Sequence, residues 1–371
     1  MADKKVLEQK LEELQEQYSK TKYNKATNKY LGILRAKMAK VRRTLAEKKR
    51  RKGEGFAVKK TGDATVVMVG FPNAGKSSLL KRLTGAESKV ADYAFTTLDV
   101  IPGMLEYSGA KIQVLDVPGL IEGAHLGKGA GTQVASVIRA ADILLFVIDA
   151  TVPGQIQKLI EELSMLGIKA NKEKPRVMIE EKRSGGVEAE ANGHKTPSKK
   201  EVEMIMHEIG VYNGKVIFYN DIDMDSLIAL LIGNAVYSRG IVALNKVDLV
   251  AEERAKRLVS ELTESTKMRV VGISAATGAN ITDLKEALFE NLDLVRVYLK
   301  PKDGNVDYSR PFVLKAGSNV MELAKGLHSK AAKNLKCAYV TGKSAKFENQ
   351  RVGKEHTLED GDVVTLVYDK F

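Results

Sequence analysis

The sequence is short of cysteine, of long apolar runs and, over most of its length, of net charge. One cysteine in 371 residues, Cys337, excludes an internal disulfide framework and any metal site built from several thiolates. No apolar stretch reaches the roughly 18 residues that a bilayer-spanning helix needs, so no membrane partner is expected. Charge from the third residue onward gives Met1–Lys10 none of the character of a secretory signal. Together these absences predict a reducing cytoplasm as the address. Five histidines (His125, His194, His207, His328 and His356) are scattered without H-x-x-x-H spacing, and a transition-metal site is not expected.

The charge that is present is concentrated. The formal net charge is +12, from 59 Lys/Arg and 47 Asp/Glu. Residues 1–60 hold 19 of the basic and 7 of the acidic residues, also +12, which leaves 40 of each sign elsewhere. A basic leader on a neutral body points to a polyanion contact, with RNA or an anionic membrane surface, more than to a solubility device. Hydrophobic residues at 44% and charged residues at 29% exclude global disorder, and the length predicts two or three domains.

The leader reads as a helical hairpin. Leu7, Leu11, Leu14 and Tyr18 repeat at helical spacing, as do Leu34, Met38, Val41 and Leu45, with Thr27 placed to cap the second helix. The run Lys48-Lys49-Arg50-Arg51-Lys52 closes it. From Thr65 onward short apolar runs alternate with helical stretches. Buried strands are expected at 65–69, 111–115, 143–148, 240–244 and 268–273, and a helix at 280–298. This is an α/β class with a mostly parallel sheet, spanning 61–299. Some 90 residues separate the strand ending at Asp149 from the one at Gly240, where one crossover takes about 30, so 155–236 reads as an α+β insert. After a linker at 300–310, residues 311–371 read as strand, helix and strands, in the order of a β-grasp module.

The chemistry starts with Gly70-Phe71-Pro72-Asn73-Ala74-Gly75-Lys76-Ser77, which matches G-x-x-x-x-G-K-[ST] between a strand and a helix. Such a loop cradles phosphates with backbone N–H groups at a helix N-terminus, here from Asn73, Ala74, Gly75, Lys76, Ser77 and Ser78. The Lys76 ammonium is expected at the β/γ-phosphates and the Ser77 hydroxyl on Mg²⁺. Asp116-Val117-Pro118-Gly119 follows a strand. Its aspartate is placed to hold Mg²⁺ through water, and the Gly119 N–H to meet the γ-phosphate. In Asn245-Lys246-Val247-Asp248 the Asp248 carboxylate accepts two hydrogen bonds from guanine N1–H and N2–H₂, which adenine cannot supply, while Lys246 packs along the base. Ser274-Ala275-Ala276 suits the loop whose backbone N–H meets guanine O6. A switch threonine that ligates Mg²⁺ is expected at Thr97, with Thr96 the adjacent alternative. GTP and GDP are the predicted ligands, and an ATPase or kinase is disfavoured by Asp248. A rival reading makes the chain an RNA- or ribosome-binding module with a structural nucleotide site.

The run Asp116–Gly131 resembles the second switch of the Obg-like translation-factor GTPases. With Asn24-Lys25-Ala26-Thr27, the insert and the C-terminal module, the whole chain is similar to the developmentally regulated GTP-binding protein branch. The resemblance implies a helix-turn-helix leader, a G domain with an insert like the second domain of a small-subunit ribosomal protein, and a C-terminal TGS domain. It also implies association with ribosomes and translation. Leu120 stands where Ras-like GTPases carry the glutamine that orients water. In related GTPases with a hydrophobic residue there, an asparagine at the site matching Asn73 helps to bind K⁺. The expectation is therefore slow hydrolysis, stimulated by K⁺ or by a protein regulator that orders the switches.

Overall fold

A computed structural model of the chain describes residues 2–21, 30–34, 37–38, 41, 61–85, 101–117, 137–231, 235–301, 304–328 and 331–368. In chain order the first elements are α1 (Ala2–Lys20), β1 (Ala64–Val69), α2 (Lys76–Thr84), β2 (Ile101–Tyr107), β3 (Ala110–Asp116) and β4 (Ile143–Asp149). Next come α3 (Gln155–Met165), β5 (Ile168–Ala170), β6 (Val177–Glu181), β7 (Val187–Glu190), α4 (Lys199–Ile209), β8 (Gly214–Phe218) and α5 (Met224–Leu231). The last are β9 (Val236–Asn245), α6 (Glu252–Thr266), β10 (Arg269–Gly272), α7 (Ile281–Asn291), β11 (Leu294–Leu299), β12 (Phe312–Lys315), α8 (Val320–Leu327), β13 (Leu335–Thr341), β14 (Gln350–Val352) and β15 (Val363–Tyr368). None of the described helices is long and apolar enough to cross a membrane.

The described residues fall into two compact units. One draws on 58–118, 140–156 and 239–371. Its main sheet has the order β10-β9-β4-β1-β3-β2, parallel throughout except for β2. All six residues of β1 are buried, as are the first six of β4, which is why their sequences are nearly continuous Val, Ile, Leu, Met and Phe. The antiparallel edge strand β2 carried no strand signal because Pro102 and Gly103 read as breakers, yet an edge tolerates proline. It joins β3 through Ser108 and Gly109, both at positive φ (49° and 81°), the geometry of a two-residue hairpin turn.

The expected helix at 280–298 is corrected by the structure. Ile281, Leu284 and Leu288 are buried on α7, but the helix stops at Asn291 and Asp293 turns the chain at φ 49°. Val295 falls in helical phase with Leu288 by coincidence; Leu294–Leu299 is a strand with Val295 and Val297 buried. It pairs with β12 and β15 in a second sheet, β12-β11-β15-β13-β14, covered by α8. A capping box starts α8, in which Asn319 Oδ1 accepts from Glu322 N–H (3.0 Å). This module docks at the amino end of the main sheet. Lys315 Nζ donates to Asp142 Oδ1 (2.7 Å), just before β4, and Asp142 Oδ2 accepts from Thr65 N–H (2.9 Å).

The other unit draws on 1–57, 119–139 and 157–238. Leu14 packs with Leu34, Met38 and Val41, and with Leu7, Leu11 and Tyr18 against them, the seam expected of the hairpin. In the insert, the sheet β6-β8-β7 lays Val187, Val216 and Phe218 against Val202, Ile205 and Met206 of α4 and Leu227 of α5. Asn24–Thr27, Leu45 and Lys48–Lys52 lie outside the described residues.

Candidate nucleotide-binding site

Parallel strands β1, β3, β4 and β9 end together, with Met68 opposite Asp116 and Asp149 opposite Asn245 in register. Their carboxyl ends therefore deliver four loops to one edge of the sheet.

The first loop, 70–75, runs into α2. Asn73 and Gly75 are both left-handed, at φ 62° and 91°. Asparagine tolerates that region; Gly75 has no substitute, because a Cβ there would fall on Asn245 Nδ2. Lys76 Nζ donates to the carbonyls of Gly70 (3.0 Å) and Phe71 (3.1 Å), which folds the side chain back over its own loop. Burial lowers the Lys76 pKa, and the charge of Asp116 works in the opposite sense. Ser78 is exposed in the first turn of α2.

Ser77 Oγ donates to Asp116 Oδ2 at 2.8 Å. Asp116 is only 3% exposed, and its other oxygen, Oδ1, is buried without a hydrogen-bond partner among the described residues. A buried carboxylate oxygen left bare is costly, and a hard cation satisfies it. A hydroxyl and a carboxylate in contact, one oxygen still unsatisfied, make a donor set that fits Mg²⁺.

At the opposite end of the site, Asn245 is 2% exposed and ties two loops together. Its Nδ2 donates to Ala74 O (2.8 Å), and its Oδ1 accepts from Ala275 N–H (2.9 Å). Lys246 is left-handed (φ 64°), and its Nζ donates to Asp149 Oδ2 at 2.6 Å. Asp248 is exposed on the 3-10 turn Val247–Leu249. Ser274 is fully buried, and its Oγ accepts from Thr277 N–H (3.1 Å).

The structure thus brings Asn73, Lys76, Ser77 and Asp116 together at one end of this edge, where phosphates were expected, and Asn245, Lys246, Asp248 and Ser274–Ala276 at the other, where the base was expected. Thr96, Thr97, Gly119, Leu120 and His125 lie outside the described residues. Two residues that position these loops were missed in the sequence. Asp149 was legible as an aspartate at a parallel strand end, the counterpart on β4 of Asp116 on β3. Arg82 has no motif around it, yet its Nε donates to Ala275 O (3.0 Å) and its Nη2 to Ala276 O (2.6 Å).

Residues 65–182 match the family model described as 50S ribosome-binding GTPase, 184–294 that of the C-terminal region of the MMR_HSR1 domain, and 295–368 the TGS domain. The developmentally-regulated GTP-binding protein 2 of Homo sapiens is 40% identical over 365 residues, 97% of this chain and 98% of that protein. The chain belongs to the developmentally regulated GTP-binding protein family. Similar to it as well are an uncharacterized GTP-binding protein of Methanocaldococcus jannaschii (41% identical, 97% of this chain and 93% of that one) and the developmentally-regulated G-protein 3 of Arabidopsis thaliana (41%, 97% and 98%). In this family member the main sheet is the GTPase domain, and the second sheet with α8 is the TGS domain. The match from residue 295 takes in β11, in keeping with the pairing of β11 to β12 and β15.

Proposed function

We propose that this chain binds GTP and GDP with Mg²⁺, hydrolyses GTP slowly to GDP and phosphate, and acts as a regulatory switch on cytoplasmic ribosomes. One observation carries the reading: Lys76, the Ser77–Asp116 pair and the Asn245–Asp248 turn share one edge of a parallel sheet, tied together by the two hydrogen bonds of Asn245. Lys76 exchanges its bonds to Gly70 and Phe71 carbonyls for phosphate oxygens. Ser77 and Thr97 (or Thr96), with Asp116 through water, would hold Mg²⁺, whose charge would offset that of the β- and γ-phosphates. The Gly119 N–H meets the γ-phosphate, and loss of that phosphate releases both switches.

In hydrolysis a water attacks the γ-phosphorus as its bond to the β/γ-bridging oxygen breaks. Leu120 offers no hydrogen bond to that water. Asn73, exposed in its loop, would help to hold K⁺, which would supply positive charge to stabilise the leaving group. The ribosome assignment is supported by the charge of residues 1–60 and by the description of the matched GTPase family.

Asp248→Asn tests the base assignment. An amide presents one donor and one acceptor, which suits xanthine N1–H and O2 and mismatches guanine. Calorimetry with Mg²⁺ should show GDP binding falling by on the order of 100-fold and xanthosine diphosphate binding rising. No heat from GDP on folded wild-type protein sinks the proposal.

A further inference from the structure

We infer that Arg82 fixes the base-recognition loop and thereby determines guanine affinity, although it lies outside every motif of the site. The inference rests on guanine-nucleotide binding here and deepens it. Helix α2 opens with Lys76 and Ser77 at the phosphate end, and Arg82 stands in its last turn. From there the guanidinium reaches two successive carbonyls of a segment 193 and 194 residues away in the chain, Ala275 O and Ala276 O. A planar fork with fixed N–H directions holds two peptide planes at once, which a point-like ammonium cannot do.

Three consecutive peptides of the loop are pinned. The Ser274–Ala275 peptide is held by Asn245, through the Ala275 N–H. The Ala275–Ala276 peptide is held by Arg82 Nε at its carbonyl. The Ala276–Thr277 peptide is held by Arg82 Nη2 at its carbonyl and by Ser274 Oγ at its N–H. All are trans, so the N–H of Ala276 points away from the carbonyl that Arg82 grips. It makes no hydrogen bond among the described residues, whereas the Ala275 N–H is already committed to Asn245. Arg82 therefore aims the one N–H the loop still has to offer, and guanine O6 is the acceptor that this end of the site would present to it. One helix thus sets both ends of the nucleotide, phosphates through its first turn and base through its last.

The test compares wild type, Arg82→Ala and Arg82→Lys by GDP binding, GTP turnover and competition by inorganic tripolyphosphate, with thermal melting as the check on folding. Arg82→Ala should weaken GDP by roughly ten-fold, through faster release, and raise KM for GTP by a similar factor. Saturated kcat and tripolyphosphate competition should stay within two-fold, because neither reads the base loop. Arg82→Lys should fall between, and it decides the matter if Arg82→Ala does not fold. Unchanged GDP affinity in a folded variant overturns the inference, and so does an equal loss for tripolyphosphate, which would mean that α2 itself had moved. A wild type that does not bind GDP overturns the proposed function together with it; wild-type binding with an unaffected variant overturns only the role of Arg82.

Discussion

Lys246 Nζ lies 2.6 Å from Asp149 Oδ2, an ion pair that clamps together the carboxyl ends of the neighbouring strands β4 and β9. The pair explains an otherwise unfavourable backbone. A lysine at φ 64° costs about 1 kcal/mol or more, and what offsets it is the carboxylate waiting for its ammonium. Asp149 is itself held, by the N–H (2.9 Å) and hydroxyl (2.7 Å) of Thr151. The lysine stem that is proposed to lie along the base is therefore fixed from the far side, by a residue with no direct part in binding.

Replacing Asp149 with Asn should therefore loosen GDP by about three- to ten-fold, with Lys246 left to wander. The pH dependence has a definite sign. Burial pushes the Asp149 pKa up, but the hydrogen bonds from Lys246 and Thr151 outweigh it and hold the group below its ordinary value. A carboxyl with a depressed folded pKa contributes stability that is complete above the unfolded pKa, near 4, and disappears as pH falls through the folded one. Melting temperatures of wild type and Asp149→Asn should thus differ at pH 7 and converge below about pH 4. A constant gap down to pH 3 would remove the ion pair from the account.

Gly75→Ala meets two obstacles at once. The backbone there is left-handed at φ 91°, and the added methyl would fall on Asn245 Nδ2, the group that bonds Ala74 O. Relief requires either the loop or the Asn245 staple to shift. The expected loss is roughly 1–3 kcal/mol of stability by thermal or urea unfolding, together with loss of measurable GDP binding. A variant that binds GDP like wild type would show that this loop does not need its observed shape.

What the sequence revealed of all this follows the range of the forces involved. The places of the P-loop, Asp116 and Asn245–Asp248 at strand ends were legible because the proposed contacts to phosphate, cation and base would each demand a residue type at a fixed place relative to a strand end. The central strands were legible because burial on both faces leaves no room for polar residues. Arg82 was not, since a side chain that bonds backbone carbonyls 193 residues away places no demand on the sequence of its partners. Nor was β11, whose identity as a strand comes from its partners β12 and β15; Val295 at seven residues from Leu288 satisfied the helical period equally well. Asp149 stood in plain view but was read only as the end of a strand.

The proposed K⁺ dependence turns on Asn73, exposed and left-handed at the top of its loop. Asn73→Ala removes the amide oxygen and also a residue type that tolerates that backbone better than alanine does, so a loss of activity alone would be ambiguous. Asn73→Gly keeps the backbone at ease and removes only the side chain. Wild-type GTP turnover should be several-fold faster in KCl than in NaCl of equal concentration. In Asn73→Gly the two rates should become equal while GDP binding persists. Equal rates in the wild type would leave Asn73 as a turn residue.

The proposed ribosome binding calls for a test by charge and not by deletion. Leu34, Met38 and Val41 of the leader are buried against α1, and Gly32 sits so close to Met224 of α5 that a Cβ there would strike its sulfur. Removing residues 1–52 would strip this cover from the insert and confuse weaker binding with failed folding. Changing Lys48, Lys49, Arg50, Arg51 and Lys52 to glutamine keeps the packed seam and takes away five positive charges. For every phosphate no longer neutralised, the slope of log affinity against log salt should become shallower by about 0.7 to 0.9. Co-sedimentation with ribosomes should therefore weaken and become less salt-sensitive, with GDP affinity unchanged. Retention of the wild-type salt slope would move the polyanion-binding surface away from this run, to the remaining basic residues of the leader.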